Sequence, residues 1–88
     1  MQNSETEEIS LIESTVGRIN GLTIGTGGVY TDEDDNKEKV NLTINRKPNP
    51  ELEVGSKVDI GDQVWVVSEF RKRPGKQKGL IIMRRDKP

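Results

Sequence analysis

Four stretches of this chain hold residue types whose spacing could do chemistry. The first is Asp32-Glu33-Asp34-Asp35-Asn36. Asp32, Asp34 and Asn36 match the first, third and fifth positions of a calcium loop. Such a loop also needs Gly at its sixth position, for the sharp turn, and Glu at its twelfth, to chelate with both oxygens. Lys37 and Thr43 stand there instead, and Lys37 and Lys39 add positive charge where a cation would sit. The stretch reads as a solvated hairpin tip. The second set is Asp59, Asp62 and Glu69, taken with Asp32 to Asp35. Paired carboxylates can cleave a glycosidic bond, but they do so in a deep cleft, which a domain this small rarely builds.

The third stretch is Gly25-Thr26-Gly27-Gly28, whose backbone could cradle a phosphate. A dinucleotide fingerprint needs another Gly three residues after the second, opening a helix. That position is Tyr30, and both flanks read as strands. A bulge or bend in a β ribbon is the reading that remains. There is no His and no Cys, so the commonest general base, the commonest zinc ligand and any thiolate are missing. No Ser-His, Cys-His or Lys-centred arrangement can be assembled. The expectation is a protein that is not an enzyme, with no catalytic, cofactor-binding or metal-binding residues.

The fourth stretch is basic. From Arg71 onward there are eight basic residues and one acidic. Arg71, Lys72, Arg73, Lys76 and Lys78 surround Pro74-Gly75, and Arg84 and Arg85 lie near the end of the strand that follows. Together they are the candidate interaction surface. A basic patch can neutralise nucleic-acid phosphates. Single-strand binders also stack bases on exposed aromatics. Here Trp65 and Phe70 are expected in or against the core, Tyr30 alone is a poor platform, and the sequence pI of about 5.5 has the wrong sign. The leading expectation is therefore a small protein–protein interaction module with a protein partner not yet identified. Nucleic-acid binding through 71–78 and the C-terminal Arg and Lys residues is the alternative.

These side chains must be positioned by strands. The chain has 88 residues, no Ala and nine Gly, which disfavours long helices, and its apolar residues are mostly β-branched. Lys57 to Phe70 holds the densest apolar run. Gly61-Asp62 suits a type II′ turn, pairing Ile60 with Gln63, Asp59 with Val64 and Val58 with Trp65. Val58, Ile60, Trp65 and Val67 then share one face. Val64, Val66 and Phe70 fall on the other, to be covered by the domain itself or to serve self-association. With apolar residues on both faces, the second strand should be central. The phrase Val54-Gly55-Ser56-Lys57-Val58-Asp59-Ile60-Gly61, followed by Val64-Trp65-Val66-Val67, is similar to phrases in many small β modules, SH3-like and OB-type barrels among them.

Elsewhere, Asn20-Gly21 between Thr15–Ile19 and Leu22–Ile24 is a strong hairpin signal. Val29–Thr31 and Lys37–Ile44 read as another hairpin, closed by the acidic stretch. Pro48 and Pro50 argue for a loop over 46–50. Pro74-Gly75 fits a type II turn before a last buried strand, Gly79–Met83. Ile9, Leu11 and Ile12 begin a first strand or a short helical turn.

The expectation is a single all-β domain over 9–85, a small antiparallel barrel or two-layer β-sandwich of about six or seven hairpin-connected strands. An acidic disordered tail over 1–8 and a short tail over 86–88 flank it. Val40, Leu42, Ile44, Val58, Ile60, Trp65, Val67, Leu80 and Ile82 should form the core. Charge is uneven, with nine acidic and three basic residues in 1–44 against six and eleven in 45–88. No signal peptide or membrane span is expected, and a cytoplasmic location is the default.

Overall fold

In runs such as Val40-Leu42-Ile44 and Val58-Ile60 the apolar residues recur at every second position, and the backbone follows that period. The computed structural model describes residues 5–87, with side chains over 6–85. It is all-β, with nine strands among the described residues: β1 Glu5–Ile12, β2 Thr15–Ile19, β3 Leu22–Thr26, β4 Tyr30–Thr31, β5 Glu38–Ile44, β6 Lys47–Leu52, β7 Lys57–Ile60, β8 Gln63–Arg71 and β9 Leu80–Lys87. One antiparallel sheet has the order β1-β9-β8-β7. The other runs β2-β3-β5-β4, with β6 also on β5. No helix of the described residues is long and apolar enough to cross a membrane.

The turns follow their residues. Asn20 and Gly21 both take positive φ, 52° and 79°, as a type I′ turn demands, and Ile19 pairs with Leu22. Gly61 has φ 67°, and β7 and β8 pair as Ile60↔Gln63, Asp59↔Val64 and Val58↔Trp65. The two hairpin tips then meet, with Asn20 donating to the side-chain oxygen of Gln63. Gly75 has φ 77°, and Lys76 N–H donates to the Arg73 carbonyl at 3.0 Å. Between Thr26↔Leu42 and Tyr30↔Lys39, the three residues Gly27–Val29 face the two residues Val40 and Asn41. The glycine-rich stretch is thus a bulge.

Two strands lie where the sequence suggested otherwise. The first is β6, which includes Pro48 and Pro50. Its Asn45-Arg46 turn has positive φ at both residues, 50° and 72°, and it pairs with β5 alone. Proline is tolerated there because an edge strand needs only one set of ladder bonds. The other is β1, which starts at Glu5, so the expected tail over 1–8 is corrected from residue 5 onward. Glu7 and Glu8 meet Arg85 and Arg84 across the β1–β9 pair at 2.7 and 2.9 Å. The acidic composition that suggested disorder is matched by basic residues far along the chain. β9 likewise runs through Lys87, which shortens the expected C-terminal tail. Residues 1–4 and 88 lie outside the described part.

The core fills the space between the sheets. Val40, Leu42, Ile44, Val58, Ile60, Trp65 and Val67 are in it, joined by Leu11, Ile24, Leu52, Ile81 and Met83. Each aliphatic side chain buried in full contributes about 1.5–3 kcal/mol. Leu80 and Ile82 are not part of this cluster. Val67 pairs with Met83, which puts Met83 and Ile81 on the core side and Ile82 on the other, where it is nonetheless fully buried. Leu80-Ile81-Ile82-Met83 is apolar at every position, so the sequence alone could not say which alternate residues face inward. Phe70 packs against the core, as expected, but the face that alternation assigned to it is corrected. A bulge between Val67 and Glu69 shifts the register of β8 by one residue. Phe70 therefore turns from the face of Val64 and Val66 to pack against the core.

Candidate functional site

The site follows from a mismatch in strand length. β8 is nine residues long and β7 only four. After Lys57↔Val66 the β7 pairing ends. The backbone of Val67 is then satisfied by the 53–56 turn, donating to the Ser56 carbonyl and accepting from Gly55 N–H. Beyond it, Ser68 is the extra residue of a bulge, and Glu69–Arg71 pairs with β9 on one side only. No described strand lies along its other edge.

A seam opens along this free edge, between it and the start of β5. A cleft of about 230 Å³ lies there, lined by Glu13, Val29, Thr31, Glu38, Phe70, Arg71, Lys72 and Leu80. It continues past Phe70 to Lys37, Glu53 and Val54. At its other end it continues past Lys72 to Arg73, Lys76 and Gly79. The acidic hairpin and the basic loop thus border one groove. Half-buried Phe70 lies between them, and Val54 is 58% exposed at one end.

Glu13 fixes the shape of the groove. It sits in the corner where the chain passes from β1 in one sheet to β2 in the other. One carboxylate oxygen accepts Val29 N–H at 2.7 Å, and the other accepts Gly79 N–H at 2.6 Å. Glu13 N–H in turn donates to the Gly79 carbonyl at 3.1 Å. The carboxylate therefore ties the glycine bulge to the end of the basic loop. It also places an internal anion on the N–H of Val29, beside the backbone that might otherwise have been read as a phosphate cradle. Gly79 is needed here: a Cβ would lie 2.8 Å from both the Arg71 carbonyl oxygen and a Glu13 carboxylate oxygen.

The acidic tip is closed by its own lysine. Lys39 Nζ lies 2.8 Å from Asp32 and 2.9 Å from Asp35. Asp34 N–H and Lys37 N–H cap the same two aspartates at 2.9 and 3.1 Å. The hydrogen bond from Lys39, and then the backbone donors, hold both carboxyls below their ordinary range, while Lys39 is pushed upward. The ammonium takes the position a cation would need, and no group of metal-ligating side chains forms among the described residues.

The seven basic residues of the expected interaction surface divide into two groups. Arg71 makes two hydrogen bonds to Glu69, at 2.8 and 3.0 Å, and these hold the Glu69 carboxyl below its usual range. Arg84 pairs with Glu8 at 2.9 Å. Arg85 pairs with Glu7 at 2.7 Å and lies over the Trp65 ring, 5.8 Å from its centre. Arg73 donates to the Lys78 carbonyl at 3.0 Å, which folds the loop without using its charge. Lys72, Arg73, Lys76 and Lys78 keep a positive loop at one end of the seam, whereas Arg84 and Arg85 are held by β1 further along β9. Nothing in the sequence marks Glu13, Glu38 and Phe70 as members of one site, since no motif spaces them.

No protein-family model matches this chain, and no curated protein or solved structure matches it.

Proposed function

We propose that this protein is a non-enzymatic interaction module that binds another protein through an exposed strand. The observation that carries the reading is the one-sided edge Ser68–Arg71, which opens into a groove with an apolar floor. An unpaired edge is a ready template for another chain's backbone. Soluble proteins usually cover or shorten such an edge, and here a groove runs beside it. Nucleic-acid binding remains the second reading, supported by the free charge of Lys72, Arg73, Lys76 and Lys78. It is weakened because Arg84 and Arg85 are already paired and Trp65 is only 1% exposed, leaving no indole for stacking. The cytoplasmic location expected from composition belongs to the same proposal.

The test is selection of random linear peptides displayed on phage against the immobilised, folded protein. Enrichment of sequences whose synthetic versions bind in solution is expected. If repeated selections return nothing that binds above a scrambled control, a role in recognising other chains is rejected.

A further inference from the structure

The seam is polar along its length, and this polarity names its occupant. At one end Glu38 is exposed, with no partner shown, and Glu53 has only a loose 3.9 Å contact with Lys37. In the middle is the apolar floor of Phe70, Val29 and Leu80. At the other end are Lys72, Arg73 and Lys76, all without a carboxylate partner among the described residues. Arg71 also lines the seam, but its charge is met by Glu69, and the Glu13 carboxylate is turned onto the Val29 and Gly79 N–H groups, which orient it without neutralising it. The uncompensated charge therefore runs from negative near Glu38 to positive near Lys76. Alongside lies a strand edge with backbone groups to offer.

We infer that the seam takes an extended segment of a partner protein, added as an antiparallel strand to Ser68–Arg71, with a bulky apolar residue over Phe70, acidic residues toward Lys72–Lys76 and a basic residue toward Glu38. This rests on the reading of the protein as a strand-binding module. The antiparallel sense follows from the neighbours. Both β7 and β9 run antiparallel to β8, and antiparallel pairing is the more stable per residue. Because β8 runs from Ser68 toward the basic loop, the segment reads acidic, apolar, basic from its N- to its C-terminus. Strand spacing of about 3.3 Å per residue puts side chains two apart about 6.6 Å from each other on one face. An acidic residue two before the apolar one, and a basic residue two after it, then point into the same groove.

The probe is the peptide acetyl-Glu-Asp-Glu-Thr-Leu-Thr-Lys-amide, titrated into the ¹⁵N-labelled full chain at low salt. Amide shifts are expected over Ser68–Lys72, at Glu38 and at Val54. The reversed sequence, acetyl-Lys-Thr-Leu-Thr-Glu-Asp-Glu-amide, should bind about tenfold more weakly. Glu38→Lys and Lys72→Glu, both at exposed positions, should narrow that preference. N-methylation distinguishes strand addition from charge contact alone. Methylating successive peptide amides one at a time should abolish and spare binding in alternation, because only every second N–H faces β8.

Binding without that alternation overturns strand addition. Shifts over the loop with a single-stranded oligothymidine, and none with the peptide, overturn the inference in favour of nucleic acid. If the peptide gives no shifts while displayed peptides are enriched and bind elsewhere on the protein, the inference fails and the broader reading stands. If neither the peptide nor the displayed library yields a binder, both fail.

Discussion

Glu13 and Gly79 are the residues on which the seam depends, and neither is conspicuous in the sequence. The carboxylate accepts from two backbone groups far apart in the chain, and the glycine is the close approach that lets it do so. Gly79→Ala should destabilise the protein by about 1–3 kcal/mol, the range for forcing extra atoms into a packed site. The clash falls on the Arg71 carbonyl as well as on the carboxylate. Backbone cannot swing aside as a flexible side chain can. Chemical denaturation of the variant against the parent measures this directly, and an unchanged midpoint would mean that the corner gives way freely.

At the scale of elements, β8 carries the most consequence. Its first half is a central strand between β7 and β9, and its second half is an edge. The bulge before Glu69 lets one strand do both. Trp65 and Val67 enter the core before the bulge, and Phe70 turns inward after it. β1 is the other element whose role is clear. It pairs with β9 over its whole length, from Glu5↔Lys87 to Ile12↔Leu80, and sends Leu11 into the core. Removing residues 1–12 should leave a chain that does not hold its fold. β9 would lose one of its two neighbours, and a gap would open under Ile81 and Met83. Deleting a buried Leu side chain alone typically costs about 2–5 kcal/mol, a large share of the roughly 5–15 kcal/mol that holds a domain together. Amide hydrogen exchange checks this: protection retained in β8 and β9 of the shortened chain would contradict it.

For the whole molecule, the uneven charge of the two halves resolves into pairing. Glu7 and Glu8 of the acidic half meet Arg85 and Arg84 of the basic half. The groove then collects part of what is left over at its two ends. The ion pairs of Lys39 with Asp32 and Asp35, and of Arg71 with Glu69, give a pH dependence with a definite sign. Asp32, Asp35 and Glu69 each have a folded-state pKa below the ordinary value, 3.8 for the aspartates and 4.5 for the glutamate. The folded state thus holds its protons less tightly than the unfolded one. The stabilisation is fully present above those ordinary values and is lost as pH falls through the lower, folded ones. The melting temperature should therefore be flat from neutral pH down to about 5 and should drop below 4. Because the groups are near the surface, the drop should be modest and reduced by salt. Lys39→Met should shrink it further, since Lys39 is the leading cause for both aspartates. A melting temperature that rose on acidification would contradict the assignment.

The all-β class, the central hairpin with its register, the Asn20-Gly21 turn and most of the core were legible in the order of residues. These are local matters. Turn residues must satisfy φ, and alternation along a strand chooses a face, so a few neighbouring residues decide each one. Tertiary structure alone decided the facing of Leu80 to Met83, because a run of apolar residues has no alternation to read. It also decided that Phe70 turns inward, since a bulge is set by the partner strand. Likewise it made β6 a strand despite its prolines, and Glu5–Glu8 a strand despite their charge, because each found the one neighbour it needed elsewhere in the chain. The seam belongs to the same class. It exists because β7 stops before β8 does, and because Glu13 draws the loops at 27–29 and 79 together. Residues 13, 38, 70 and 72 share it only once both sheets have formed.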